Sequence, residues 1–125
     1  MNRKVDKVLK VYCHPKCTTC KKAEAWLQDQ DIDYDWIDIR QEQPDRNLVL
    51  QTLKESGRSR KSFFNTSGKA YREQGIKDRL EDMTDEEVVD LLLSDGMLIK
   101  RPFVTDGQKV TSGFKEDQFK EVWKG

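Results

Sequence analysis

Apolar positions recur along this chain with two periods, one suited to short strands and one to helices. Val8, Leu9, Val11 and Tyr12 form a short β-type run that ends at Pro15. Over residues 18–30, Ala23, Ala25, Trp26 and Leu27 mark one helical face, and Gln28-Asp29-Gln30-Asp31 closes it in polar sequence. Residues 32–39 then alternate apolar and acidic side chains, as a half-buried strand does. Strand, helix and strand in this order predict a βαβ unit.

A second helix is expected from Pro44-Asp45, with Leu48, Leu50 and Leu53 inward and Gly57 just past its end. Residues 58–68 read as irregular, basic and aromatic, and a short helix over 69–74 stops at Gly75. Thr84 and Glu87 have the spacing of a capping box, opening a helix through Val88, Val89, Leu91, Leu92 and Leu93. Phe103-Val104-Thr105 reads as a strand, Asp106-Gly107 as a turn, and Lys109-Val110-Thr111 as the returning strand. Phe114, Phe119, Val122 and Trp123 share one face of a last helix. No repeat or linker interrupts this order, which predicts one α/β domain over residues 1–125.

Charge narrows the functions open to such a domain. Lys plus Arg and Asp plus Glu number 23 each, so no net charge draws the chain to nucleic acid or an anionic membrane. No apolar run approaches the roughly 18 residues of a membrane span. The N-terminal Met1-Asn2-Arg3-Lys4-Val5-Asp6-Lys7 lacks a signal peptide's apolar region, so a cytoplasmic location is expected. Structural disulfides are rare there, and a Cys-x-x-Cys points instead to catalysis, redox sensing or metal binding.

All three cysteines and the only histidine lie in Tyr12-Cys13-His14-Pro15-Lys16-Cys17-Thr18-Thr19-Cys20, at the junction of the first strand and helix. With Cys17 at the helix cap and Cys20 one turn in, the two can close a disulfide. Unpaired N–H groups and the helix dipole favour an anion at Cys17, and Lys16, Lys21 and Lys22 add positive charge. The position predicts a depressed Cys17 pKa, with Cys17 attacking and Cys20 resolving the mixed disulfide.

Two other readings compete. Cys13-x-x-x-Cys17-x-x-Cys20 has the spacing of radical-SAM iron–sulfur proteins, and His14 could complete a zinc site. The chain is too short for the barrel the first needs, and structural zinc draws its ligand pairs from two separated segments; no metal is expected. Alternatively the thiols are inert, which suits Cys13 as a small hydrophobe at the strand end. His14 reads as a turn residue before Pro15. Trp26, Trp36 and Trp123 read as core. Phe63 and Phe64 either roof the cysteine pocket or pack the middle of the chain, and the basic run Arg58-Ser59-Arg60-Lys61 reads as a solvated loop.

Tyr12-x-x-Pro15-x-Cys17-x-x-Cys20-Lys21-x-Ala23, Phe63-Phe64-Asn65-Thr66-Ser67-Gly68-x-x-Tyr71-Arg72 and Met97-Leu98-Ile99-Lys100-Arg101-Pro102 together resemble the ArsC family of thioredoxin-fold proteins. That family includes glutaredoxin-linked arsenate reductases and the RNA-polymerase-binding regulator Spx. The resemblance runs from about Val8 to Trp123. It implies a thioredoxin-like (glutaredoxin-like) mixed sheet with a helical subdomain inserted over residues 44–96. Pro102 would be a cis-proline shaping the substrate groove, and Arg101 would point beside Cys17 to stabilise thiolate and anion.

The same resemblance bears on substrate. Arsenate reductases of this type surround one essential cysteine with three arginines. Arg101 matches one of them, and the other two substrate-binding positions fall near the neutral Asn65 and Ser112. A tetrahedral dianion loses charge-assisted partners in that exchange. Cys20 is retained, as in Spx. The expected function is a thiol-dependent reductase acting on an oxyanion or a disulfide, without a bound cofactor. Glutathione, glutaredoxin or thioredoxin would be the electron donor. The alternative is an Spx-like redox sensor that binds the RNA polymerase α subunit and turns nothing over.

Overall fold

Leu9, Val11 and Cys13 leave the same side of strand β1 (Leu9–Cys13), and all three are buried. They meet Cys20, Ala23, Trp26 and Leu27 of helix α1 (Thr18–Asp29), one stripe at helical spacing, in a single apolar cluster. Val104 and Phe119 complete it. Ala25 is exposed, because it lies about 100° around the helix from Trp26.

The computed structural model describes residues 8–124, so the reading of the N-terminal residues 1–7 lies outside the described residues. It divides into two compact units, one of the flanking segments up to Asp38 and from Arg101, the other Ile39–Lys100. The first unit carries a mixed four-stranded sheet in the order β2-β1-β3-β4, with β2 (Tyr34–Asp38), β3 (Phe103–Thr105) and β4 (Val110–Ser112). β1 and β2 run parallel, with Val11 opposite Trp36; β1–β3 and β3–β4 are antiparallel, with Tyr12 opposite Phe103 and Phe103 opposite Ser112. This is the thioredoxin-like mixed sheet expected.

β2 is an edge strand, and there the sequence reading fails in detail. Trp36, expected in the core, is 40% exposed. Alternation also breaks at Trp36-Ile37, where two apolar residues adjoin, so one must face outward. Trp26 does enter the core, its ring edge-on to Phe119 at 5.5 Å, and Trp123 packs partly buried against the same cluster. The closing helix α5 (Glu116–Phe119) passes into a single wider turn over Lys120–Lys124.

The second unit is helical. α2 (Arg46–Glu55) is capped by Asp45, whose carboxylate accepts the Leu48 N–H at 3.0 Å. Its inward residues are Val49 and Leu53, one turn apart, in place of the expected Leu48 and Leu50. α3 (Lys69–Glu73) ends before Gly75, whose φ of 61° reverses the chain. α4 (Asp85–Leu93) packs on α2 and begins with both bonds of the capping box, Glu87 N–H to Thr84 at 3.1 Å and Thr84 N–H to Glu87 at 2.8 Å.

The basic run at 58–61 is not a solvated loop. Arg60 donates to the carbonyls of Leu80 and Met83 and pairs with Asp85 at 3.0 Å. The Arg58 guanidinium stacks over the Phe63 ring at 4.7 Å. Phe63 and Phe64 are both buried within this unit, Phe64 against the Tyr71 ring and bridged to Ile99.

Candidate active site

The turn between β1 and α1 places the cysteines. The Cys17 N–H bonds the His14 carbonyl at 3.0 Å, and the His14 imidazole Nδ1 accepts the Lys16 N–H at 3.0 Å. His14 therefore shapes the turn, as the sequence suggests. Cys17 is the N-cap of α1, with extended backbone (φ −86°, ψ 114°). Its sulfur accepts the Cys20 N–H at 3.3 Å, the bond a capping side-chain oxygen usually makes. Cys17 is partly exposed, whereas Cys13 and Cys20 are buried, and all three are free thiols.

The three thiols act on one another's ionisation. The Cys20 thiol is lowered to about 7, first by the hydrogen bond from Cys13, then by bonds from Cys17 and the His14 N–H and by the Arg101 charge, against burial. Cys13 is held far above the ordinary thiol range, chiefly as the donor to Cys20 and then by burial. Cys17 is also pushed up, by burial and by its bond to Cys20, although the Cys20 N–H and the Arg101 guanidinium pull the other way. That direction runs against the depression expected for Cys17 at the cap, and the two thiols share one titration rather than each holding its own.

Cys13 sits in the core as the small hydrophobe expected at the strand end: it continues the inward register of Leu9 and Val11, and that register faces α1.

Arg101 and Pro102 come from the strand-side unit, joined by a cis peptide bond as expected. Arg101 acts electrostatically on both Cys17 and Cys20. Ser112 lies at the end of β4 opposite Phe103, and the adjacent Gly113 N–H bonds the Pro102 carbonyl at 2.9 Å. Its hydroxyl is buried without a hydrogen-bond partner. The same unit thus holds Cys17, Cys20, Arg101, Pro102 and Ser112.

Asn65 belongs to the helical unit. There its N–H bonds the Leu98 carbonyl at 2.8 Å and its side-chain oxygen accepts from Ser67 at 3.3 Å. Arg58 and Arg60 are engaged within the helical unit as described. Lys109 reaches the Val122 carbonyl at 3.1 Å. Among the described residues, no three His, Cys, Asp or Glu side chains are grouped to hold a metal ion, and no helix is long and apolar enough to cross a membrane.

The model of the ArsC family matches residues 12–122. The chain belongs to the ArsC family. Within that family it is 49% identical over 115 residues to the uncharacterized protein YusI of Bacillus subtilis (strain 168), covering 92% of this chain and 98% of that one. It is 28% identical over 110 residues to the global transcriptional regulator Spx of Lactiplantibacillus plantarum, covering 88% of this chain and 82% of that one. Among solved structures, a possible arsenate reductase from Streptococcus mutans UA159 superposes with a TM-score of 0.82 at 45% identity, covering 87% of this chain and 92% of that one. ArsC-family membership thus spans both reductase-like and regulator-like proteins.

Proposed function

We propose that the chain is a thiol-dependent reductase of small disulfides or oxyanions, working in the cytoplasm. The observation that carries this reading is the capped Cys17 sulfur, bonded to the Cys20 N–H at 3.3 Å and partly open to solvent. A sulfur so placed is accessible and has a donor ready for negative charge. Its proton passes to the neighbouring Cys20 thiolate, and the Cys17 thiolate formed is steadied by the Cys20 N–H and by Arg101.

With a disulfide substrate, the Cys17 sulfur attacks one substrate sulfur and the other leaves as thiolate. Cys20 gives up its proton and attacks the Cys17 sulfur of the mixed disulfide, which releases the second substrate thiolate and leaves a Cys17–Cys20 disulfide. Two electrons have passed from the protein dithiol to the substrate. Glutathione, glutaredoxin or thioredoxin returns them. An arsenate-like dianion fits less well, because Ser112 offers a neutral hydroxyl at a position where a dianion needs a cation.

Loss of turnover in Cys17→Ser, with the fold retained, is the expected result in a glutathione-linked disulfide assay. Wild-type protein that reduces neither such a disulfide nor arsenate above background would sink the reading. The Spx relative supports a second one, in which the same Cys17–Cys20 pair is a switch on a surface for the RNA polymerase α subunit. Retention of that subunit in a pull-down, gained or lost on oxidation and without turnover, would favour it.

A further inference from the structure

The turn that carries Cys17 is held by a side chain as well as by backbone. Pro15 and Lys16 are its two central residues, and the Cys17 N–H closes it on the His14 carbonyl at 3.0 Å. Pro15 suits the first of those central positions, where its ring presets φ. The half-buried His14 ring then accepts the Lys16 N–H at Nδ1, also at 3.0 Å. A side chain that accepts the N–H two residues on makes the bond of an Asx turn, here with an imidazole in place of a carboxamide or carboxylate.

His14 thereby meets both members of the thiol pair. Its carbonyl takes the N–H of Cys17, and its own N–H acts on Cys20, where it helps to lower the thiol. Lys16, the residue before Cys17, has its N–H tied to the ring, so the ring limits how far the turn can open. The approach of the Cys17 sulfur to the Cys20 N–H, at 3.3 Å, needs that turn closed. The same bond defines what the ring can do. A neutral imidazole that accepts at Nδ1 carries its proton at Nε2, so neither nitrogen of the bonded ring is placed to take a proton from Cys17.

We propose that His14 is a positioning residue for the thiol pair: its ring is the hydrogen-bond acceptor that locks the turn over residues 14–17 and so holds Cys17 against the first turn of α1. The ring acts by direction, not as a general base. This role rests on Cys17 being the attacking thiol, as proposed above. Modification of that thiol is therefore read directly, so a protein that reduces no disulfide still puts His14 to the test.

The test compares His14→Ala with His14→Asn in the full chain. An asparagine side-chain oxygen can accept the Lys16 N–H, yet the carboxamide is no base near neutral pH. Iodoacetamide labelling of Cys17 at pH 7, read by mass spectrometry, should slow by about three- to tenfold in His14→Ala, the loss expected of one hydrogen bond. In His14→Asn the rate should stay within about twofold of wild type, since the bond is kept. Amide hydrogen exchange at Lys16 should quicken in His14→Ala and not in His14→Asn. Wild-type labelling or wild-type exchange in His14→Ala would overturn the proposal. So would His14→Asn labelling as slowly as His14→Ala, which would make the ring a base or a packing group. If His14→Ala does not fold, His14→Asn decides alone: slowed labelling overturns the proposal, and wild-type labelling with wild-type exchange at Lys16 upholds it.

Discussion

The Cys20 N–H donates to the Cys17 sulfur at 3.3 Å, so the residue that holds the lowered thiol also supplies the donor for its neighbour's charge. Backbone and side chain of one residue thereby serve two sulfurs. The buried Cys20 stores the negative charge at rest, and the more open Cys17 can receive it where a substrate can reach. Access and charge storage are divided between the two positions, and one proton moving between the sulfurs joins them.

Alkylation of Cys17 against pH should therefore rise in two steps. The lower step lies at about 7, where the pair first gains a charge, and the upper lies above the ordinary thiol value, where Cys17 itself ionises. Below the lower step both thiols are protonated and attack slows. In Cys20→Ala the partner that raises Cys17 is gone while the backbone N–H at position 20 remains. One step, below the wild-type upper step, is the expected profile. A single step in the wild type would contradict the shared charge.

Arg101→Leu removes a charge that pulls down both sulfurs. Both steps should move to higher pH, and the alkylation rate at pH 7 should fall by several-fold. Arg101→Lys should recover part of the loss, since charge survives and the planar fork does not. Loss of rate in Arg101→Leu with unmoved steps would mean the arginine acts by shape alone.

Gly96 is a packing constraint in the helical unit. A Cβ there would stand 2.1 Å from the Ile39 carbonyl oxygen and 2.9 Å from its carbon, both backbone atoms that cannot swing aside. Gly96→Ala should cost about 1–3 kcal/mol by overpacking, read as a lower urea midpoint. Wild-type stability would show that residues 39 and 96 separate easily.

Most of the fold was legible because local signals agreed: the βαβ alternation, the Thr84–Glu87 capping box and the Gly75 stop all recur in the structure. What periodicity could not resolve was which of several neighbouring leucines turns inward. Leu48, Val49 and Leu50 are all apolar, and of the three only Val49 is buried in the helix that packs on α4. Trp36 was misread because its pattern does not reveal that β2 is an edge strand. At the turn, Cys17 as the cap of α1 was legible from spacing, and the cis bond before Pro102 followed from the family resemblance. The charge distribution was not, since it depends on Cys13 reaching Cys20 across the gap between β1 and α1, a contact of tertiary structure.

That contact yields the last prediction. Cys13 is fully buried and its thiol stays protonated, so it is a permanent donor to Cys20. Cys13→Val keeps an apolar side chain of similar size and removes only the S–H. The Cys20 pKa should then rise, because the hydrogen bond from Cys13 is the largest of the causes that lower it. The lower step of the alkylation profile should shift upward, while the Cys17–Cys20 disulfide still forms on oxidation and the melting temperature changes little. Cys13→Ser restores a donor and should return the step toward its wild-type position, although a buried hydroxyl costs some stability. An unshifted step in Cys13→Val would leave Cys20 lowered by Cys17, the His14 N–H and Arg101 alone, and Cys13 would be core filler after all.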